Sequence, residues 1–266
     1  MNWPDLYLAL ASGGLYIIAI ACLGLDATFQ KPLVRRLALA LTAAGFVVHT
    51  AALVTRVAYA KDMPFTDLFE YTLFMSWAIV LAYLVFFRRR LPRVGAIVLL
   101  VIVFVMIGAS FFYYTGPGGG KMPALRSYWL YIHVSLAALG ETFFAVGFVA
   151  SLIYLGRRAA GGTPDSLASL EDLAYRAITI GFPLFTAGAL AAGAIWAKRA
   201  WGAYWSWDPK EVLSLVVWLV YAAYLHARQV RGLRGPAAAG LSIAGFLLTL
   251  FTIFSTLVFG GLHAYG

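Results

Sequence analysis

The sequence predicts an all-α integral membrane protein, a bundle of about eight transmembrane helices with both termini on the outer side. Three observations carry this. The 266 residues are 62% hydrophobic and 12% charged, with mean hydropathy +0.84, whereas a soluble domain is roughly half apolar and a quarter charged. The apolar residues come in runs of about 20, the helix length that crosses a bilayer. The runs are continuous rather than alternating, which selects helices over a closed barrel, the only other structure a bilayer admits.

The spans follow in order. The first, 5–25, has a leader MNWPD without positive charge and no small-residue cleavage site after it, so it reads as a retained helix and not a signal peptide. It holds Cys22, the one cysteine of the chain. The second, 33–59, carries His49. The third, 66–87, opens on MPFTDLFEYTLFMSW and contains Glu70. The fourth is 93–113. The fifth, 127–155, starts in RSYWLYIHV with His133 near one end and contains Glu141. The stretch GRRAAGGTPDSLASLED then reads as the longest loop. The sixth span is 172–197, the seventh 209–231 with His226 near its far end, and the eighth 236–260, followed by GGLHAYG with His263. There is no internal repeat and no long soluble segment, so residues 1–266 are expected to form a single transmembrane domain, with 198–211 as an external loop.

Lysine and arginine orient these spans. One set of connections carries Lys31, Arg35, Arg36, Arg88, Arg89, Arg90, Arg93, Arg157, Arg158, Arg176, Arg228, Arg231 and Arg234, thirteen in all; the other face carries Arg56, Lys61, Lys121, Arg126, Lys198, Arg199 and Lys210, seven. The richer face should be cytoplasmic. The net charge of +9 is mostly this bias. It calls for anionic lipid at the inner face rather than nucleic acid.

This topology puts three distant elements on the outer face. They are the loop WGAYWSWDPKE, His133 and His263. The loop packs three tryptophans and a tyrosine into Trp201–Trp207. Interfacial belts scatter Trp and Tyr along a membrane surface; such a density next to Asp208 exceeds a belt. Two neutral imidazoles can fill both axial positions of a haem. Flat rings pack on a porphyrin, and Arg56, Arg126, Lys198 or Arg199 can meet its propionates. A lone histidine at a helix end is more often a hydrogen-bonded interface residue. The pair gains weight because both members share a face with the loop.

At these residues the sequence resembles the CcsA (ResC) family of cytochrome c biogenesis. WGAYWSWDPKE with the following YLHAR matches the tryptophan-rich haem motif of that family. MPALRSYWLYIHV and GLHAYG resemble its two external-histidine segments. MPFTDLFEYTLFMSW resembles its P-x-S-N-x-Y-E-S segment, with Thr66–Asp67 and Tyr71 as departures and Glu70 retained. CcmC shares the Trp-rich motif, but DPKE and YLHAR favour CcsA, and the CcmF family is much longer.

The resemblance implies a cytochrome c synthase subunit acting with a membrane partner, CcsB (ResB), in a bacterial inner membrane. Haem b would be moved outward and presented to an apocytochrome c, whose CxxCH thiols add across the vinyl groups. By resemblance, His133 and His263 are external axial ligands. Trp201, Tyr204, Trp205, Trp207 and Asp208 belong to the haem-binding loop, and His226 ligates a second haem deeper in the membrane. No residue of the chain need act as a nucleophile, because the attacking thiols belong to the substrate. One external histidine would give way to the histidine of CxxCH.

Depth separates the remaining histidines. His226 lies roughly 8 Å from the inner end of its span and His49 roughly 24 Å, at 1.5 Å per residue. Axial ligands of one iron stand about 4 Å apart, so these two do not form a pair. The partner would supply the second inner ligand, and His49 reads as a neutral interior histidine. Glu70 and Glu141 are costly in lipid and should face the bundle interior. One cysteine and no CxxC exclude a thiol oxidoreductase and a c-type cytochrome, and the lack of a P-loop excludes ATP-driven transport by this chain alone. Two other readings remain. One is a di-haem electron-transfer protein and the other is CcmC-like haem delivery to a chaperone. A broad aromatic platform open to a protein substrate argues against the first.

Overall fold

The computed structural model describes residues 4–60, 63, 65, 67–91, 93–112, 114, 125 and 127–263, and no strand occurs among them. Eight helices follow the eight expected spans: α1 (Pro4–Phe29), α2 (Pro32–Ala60), α3 (Leu68–Phe87), α4 (Arg93–Phe111), α5 (Tyr128–Ala159), α6 (Pro164–Trp201), α7 (Pro209–Val230) and α8 (Gly235–Leu257). All but α4, which is apolar but shorter, are long and apolar enough to cross a membrane.

The connection expected as the longest loop is helical except for residues 160–163. Its polar residues are start signals and solvent-facing positions, not loop. The Thr163 hydroxyl caps α6 by accepting from Ser166 N–H, Pro164 occupies the first turn and Asp165 meets the positive helix end. Leu170, Leu173, Ala174, Ala177 and Ile178 then recur at helical spacing and are buried. The Gly/Ser composition masked this amphipathic face.

Contacts divide the chain into two compact units, Met1–Lys121 and Met122–Gly266. In the first, α1 packs on α2 and α4, and α3 on α2 and α4. The α1–α2 crossing closes where Gly45 faces the Tyr16 ring, leaving no room for a Cβ. One turn further, buried His49 uses both ring nitrogens. Nε2 donates to Leu73 O (3.1 Å), and Nδ1 accepts from Tyr16 OH (3.3 Å). At one end of this unit, Asp26, fully buried, takes Arg35 Nε and Arg93 Nε, each at 3.0 Å. At the other end, Arg56 is buried among three carboxylates, those of Glu70, Asp5 and Asp67.

In the second unit α5 packs on α6 and α8, and α7 on α8. Gly140 and Gly147 on α5 meet Gly181, Ile178 and Phe185 on α6, and Gly188 meets the backbone of Leu136 and Ala137. The glycines recur seven apart on each helix, which keeps them on one seam and lets the backbones touch. Phe144 stacks on Tyr221 across the interior, centroids 3.7 Å apart.

A Cβ at Gly181 would sit 2.8 Å from Gly140 O, so Gly181→Ala should lower stability by about 1–3 kcal/mol. Gly14 has nothing within 4 Å, so Gly14→Ala should not. Thermal melts of the two variants in detergent provide the check.

Candidate functional site

The site is built in the second unit from α5, the middle and end of α6, the start of α7 and the segment after α8. Its first component is a wide turn. Pro183 removes one backbone N–H from α6, and residues Thr186–Ala192 continue as a π-helix. There the Gly188 carbonyl takes the Gly193 N–H and also His133 Nδ1, the latter at 2.9 Å. Gly193 lies beneath the ring; a Cβ there would stand 3.0 Å from Nδ1. A carbonyl can only accept, so the His133 proton is on Nδ1 and the basic nitrogen is Nε2.

The second component is Asp208, buried at the N-cap of α7. Its Oδ1 accepts from Lys210 N–H (2.9 Å) and from His263 Nδ1 (2.8 Å); its Oδ2 accepts from Leu262 N–H (2.7 Å). Gly261 makes this approach feasible. Its φ is 146°, and a Cβ would collide with Asp208 Oδ2. Burial alone would raise the Asp208 pKa. The hydrogen bond and charge of His263, with the N–H groups of Lys210 and Leu262, overcome this and bring it down to about 2. The carboxylate therefore accepts, His263 donates through Nδ1, and Nε2 is again the basic nitrogen. A carboxylate behind a ligating histidine also raises its basicity.

Trp196 joins the two histidines. This indole is almost fully buried and lies parallel to the His133 ring at 8°, centroids 5.7 Å apart. It is also 5.7 Å from the His263 ring. Trp201, the last residue of α6, stands edge-on to Trp196 (4.7 Å) and to His263 (4.8 Å).

The loop itself turns at Gly202, left-handed at φ 85°. The Glu211 side chain reaches back to Ser206 N–H (2.8 Å) and Asp208 N–H (3.2 Å), completing a capping box with Asp208. This brace holds Trp207 at φ 61°, a conformation that costs a non-glycine residue about 1 kcal/mol or more. The Trp207 ring is consequently exposed and perpendicular to Trp205, centroids 5.9 Å apart. Tyr204 is exposed beside Lys198. Trp201 thus faces the histidines, while Tyr204 and Trp207 face outward.

The other expected residues are not part of these contacts. Arg126 is outside the described residues. Arg56 belongs to the first unit, where Glu70, Asp5 and Asp67 already surround its guanidinium, so a propionate would have to displace one of them. His226 is exposed on α7, in line with Val216, Leu219 and Val230. Sequence reasoning missed Trp196, Gly188, Gly193 and Gly261. Trp196 reads as one more apolar residue of a span, and nothing local marks the glycines. It also passed over Lys210, which lies within electrostatic reach of Glu141, Asp208, His133 and His263. Its position inside DPKE was the available signal.

Two histidines on one indole, each with Nε2 left unprotonated, beside a braced aromatic loop, make up the candidate site of this helical membrane protein. The chain belongs to the cytochrome c assembly protein family, whose model matches residues 65–263. Among its relatives are proteins named cytochrome c biogenesis protein CcsA. That of Synechococcus sp. (strain CC9902) is 36% identical, covering 85% of each chain. That of Guillardia theta is 33% identical over 83% of this chain and 82% of the relative, and that of Gloeobacter violaceus is 31% identical over 94% and 92%. A solved structure titled Cytochrome c Heme Lyase CcmF shares the fold, with a TM-score of 0.73 at 21% identity over 95% of this chain. The chain spans about half of that structure's length, 47%.

Two predictions follow from the histidines. Removing His49 leaves Tyr16 OH without its acceptor and a gap in a buried space, while Leu73 O keeps the Ser76 hydroxyl, so His49→Ala should cost about 2–4 kcal/mol. Exposed His226→Ala should stay within about 0.5 kcal/mol. Denaturation in detergent separates the two. Burial lowers the His263 pKa below its ordinary value against the raising effect of Asp208, so the ring is neutral at pH 7. Any ligation through its Nε2 should be unchanged from pH 8 down to about 6.5 and fade only as pH falls further, which a pH series of absorption spectra would record.

Proposed function

We propose that this chain holds haem between His133 and His263 and presents it for covalent attachment to an apocytochrome c. The observation that carries this reading is the matched preparation of the two imidazoles. Each has its Nδ1 proton committed to a protein acceptor, each therefore offers Nε2, and both rest on Trp196. Neutral imidazoles oriented in this way suit haem iron, and the Trp201–Trp205 surface suits the apolar porphyrin face. Membership of the cytochrome c assembly family supports the same substrate. The apocytochrome supplies the two CxxCH thiols and the haem supplies the vinyl groups. The chain contributes orientation, exclusion of water and control of the iron's redox state. Exposed Lys198 and Arg199, beside the loop, are suited to the propionates.

His226 is assigned to a second, inner haem position completed by a membrane partner of the CcsB type. Its exposure in the apolar row Val216, Leu219, Val230 supports a ligand completed from outside the chain. On this reading the protein is a haem lyase-type subunit of the bacterial cytoplasmic membrane, with its Trp-rich loop on the extracytoplasmic side.

Purified wild-type protein should carry haem with a low-spin, bis-histidine spectrum. His133→Ala and His263→Ala should each lose that spectrum and regain it with added imidazole, and the double variant should lose the external haem. Co-expression with the partner and a CxxCH reporter should give covalent haem only with wild type. Normal maturation by the double variant would remove the ligand assignment.

A further inference from the structure

The two candidate axial histidines are held in different ways. His133 is inside α5, a helix of 32 residues. Its position is set by backbone contact between Gly188 and Leu136–Ala137. The ring is wedged over Gly193, parallel to Trp196 and bonded to the Gly188 carbonyl. Withdrawing it from an iron would break the bond to Gly188 and the stack on Trp196 inside the α5–α6 seam. His263 lies beyond the last helix, in a stretch of turns and bends. Val258, Phe259 and Leu262 there are exposed. The Leu262 N–H and the His263 ring both end on the Asp208 carboxylate, which ties this segment to the start of α7.

The geometry points to His263 as the axial ligand that yields to the histidine of the incoming CxxCH segment, with Asp208 as the positioning residue that holds it until then; His133 stays on the iron throughout. This inference rests on the haem reading above. Two effects compete at His263. The carboxylate makes it the stronger donor, which opposes departure. The surrounding backbone makes it the ligand that can move, because no helix has to part. The second decides the outcome, since the His133 ring is held on the α5–α6 seam by Gly193, Trp196 and the Gly188 carbonyl, all parts of one packed helix. The step is a ligand exchange. The iron–Nε2 bond of His263 breaks as the bond from the incoming imidazole forms, no electron is transferred, and the His263 proton stays on Nδ1.

The test uses the full chain, haem-loaded and reduced, with a CxxCH peptide whose cysteines are replaced by serine so that attachment cannot occur. In His263→Gly the peptide should restore the low-spin spectrum; in His133→Gly it should not, although imidazole restores both. Restoration of His133→Gly alone, of both equally or of neither overturns the assignment. If a variant fails even with imidazole, Asp208→Asn decides the matter. Exchange of the wild-type ligand for peptide should quicken by roughly 10-fold, the low end of the usual effect of losing an outer hydrogen-bond partner, and an unchanged rate overturns the proposal. An unchanged wild-type bis-histidine spectrum in the double histidine variant would instead remove the site reading on which the proposal stands.

Discussion

The carboxylate of Asp208 is the constraint on which the candidate site depends. It starts α7 as its N-cap, binds the Leu262 N–H beyond α8, and orients His263 through Nδ1. Two distant parts of the chain, the start of α7 and the segment after α8, meet on one buried side chain. Its low pKa keeps it an acceptor at every physiological pH. Pro209 and Glu211 serve the same junction. Pro209 sets the first turn, and Glu211 closes the box that forces Trp207 outward. The DPKE run is thus first a helix-start device, and the aromatic rings take their directions from it.

The other half of the site depends on close backbone approach. A π segment after Pro183 turns the Gly188 carbonyl toward α5, and glycines along the seam let the two helices touch. His133 is fixed because its helix is fixed. Trp196 fills the space between the two arrangements and is in ring contact with both histidines. One half is thus set by helix packing and the other by a single anion.

The first unit shows the general cost of polarity in a membrane helix. Arg56 is surrounded by carboxylates and by the rings of Phe69 and Tyr114. His49 has both nitrogens engaged, and Asp26 joins Arg35 to Arg93. Such groups persist because each has partners that offset desolvation. Asp67, which looked like a departure from a family pattern, caps α3 and reaches Arg56.

Sequence alone determined the all-helical membrane class, the approximate positions of the eight helices, seven of them long enough to span, and the candidate histidines flanking the Trp-rich loop. Span length, continuous hydropathy and charge bias are properties of contiguous residues and can be read without a fold. It misread 156–172 because a Ser- and Gly-rich composition concealed an amphipathic start. The surroundings of Arg56 were not legible locally, because the carboxylates that enclose it come from two separate places, Asp5 on α1 and Asp67 with Glu70 at the start of α3. Only the tertiary structure decided these matters, together with the tautomer of each histidine, the role of Trp196 and the fit of Gly261 against Asp208. The tautomers and the Gly261 fit depend on groups 50 or so residues apart, such as His133 with Gly188 and Asp208 with His263. Hydrogen bonds between such groups are set by the packing of helices, for which no local pattern in the chain supplies a signal.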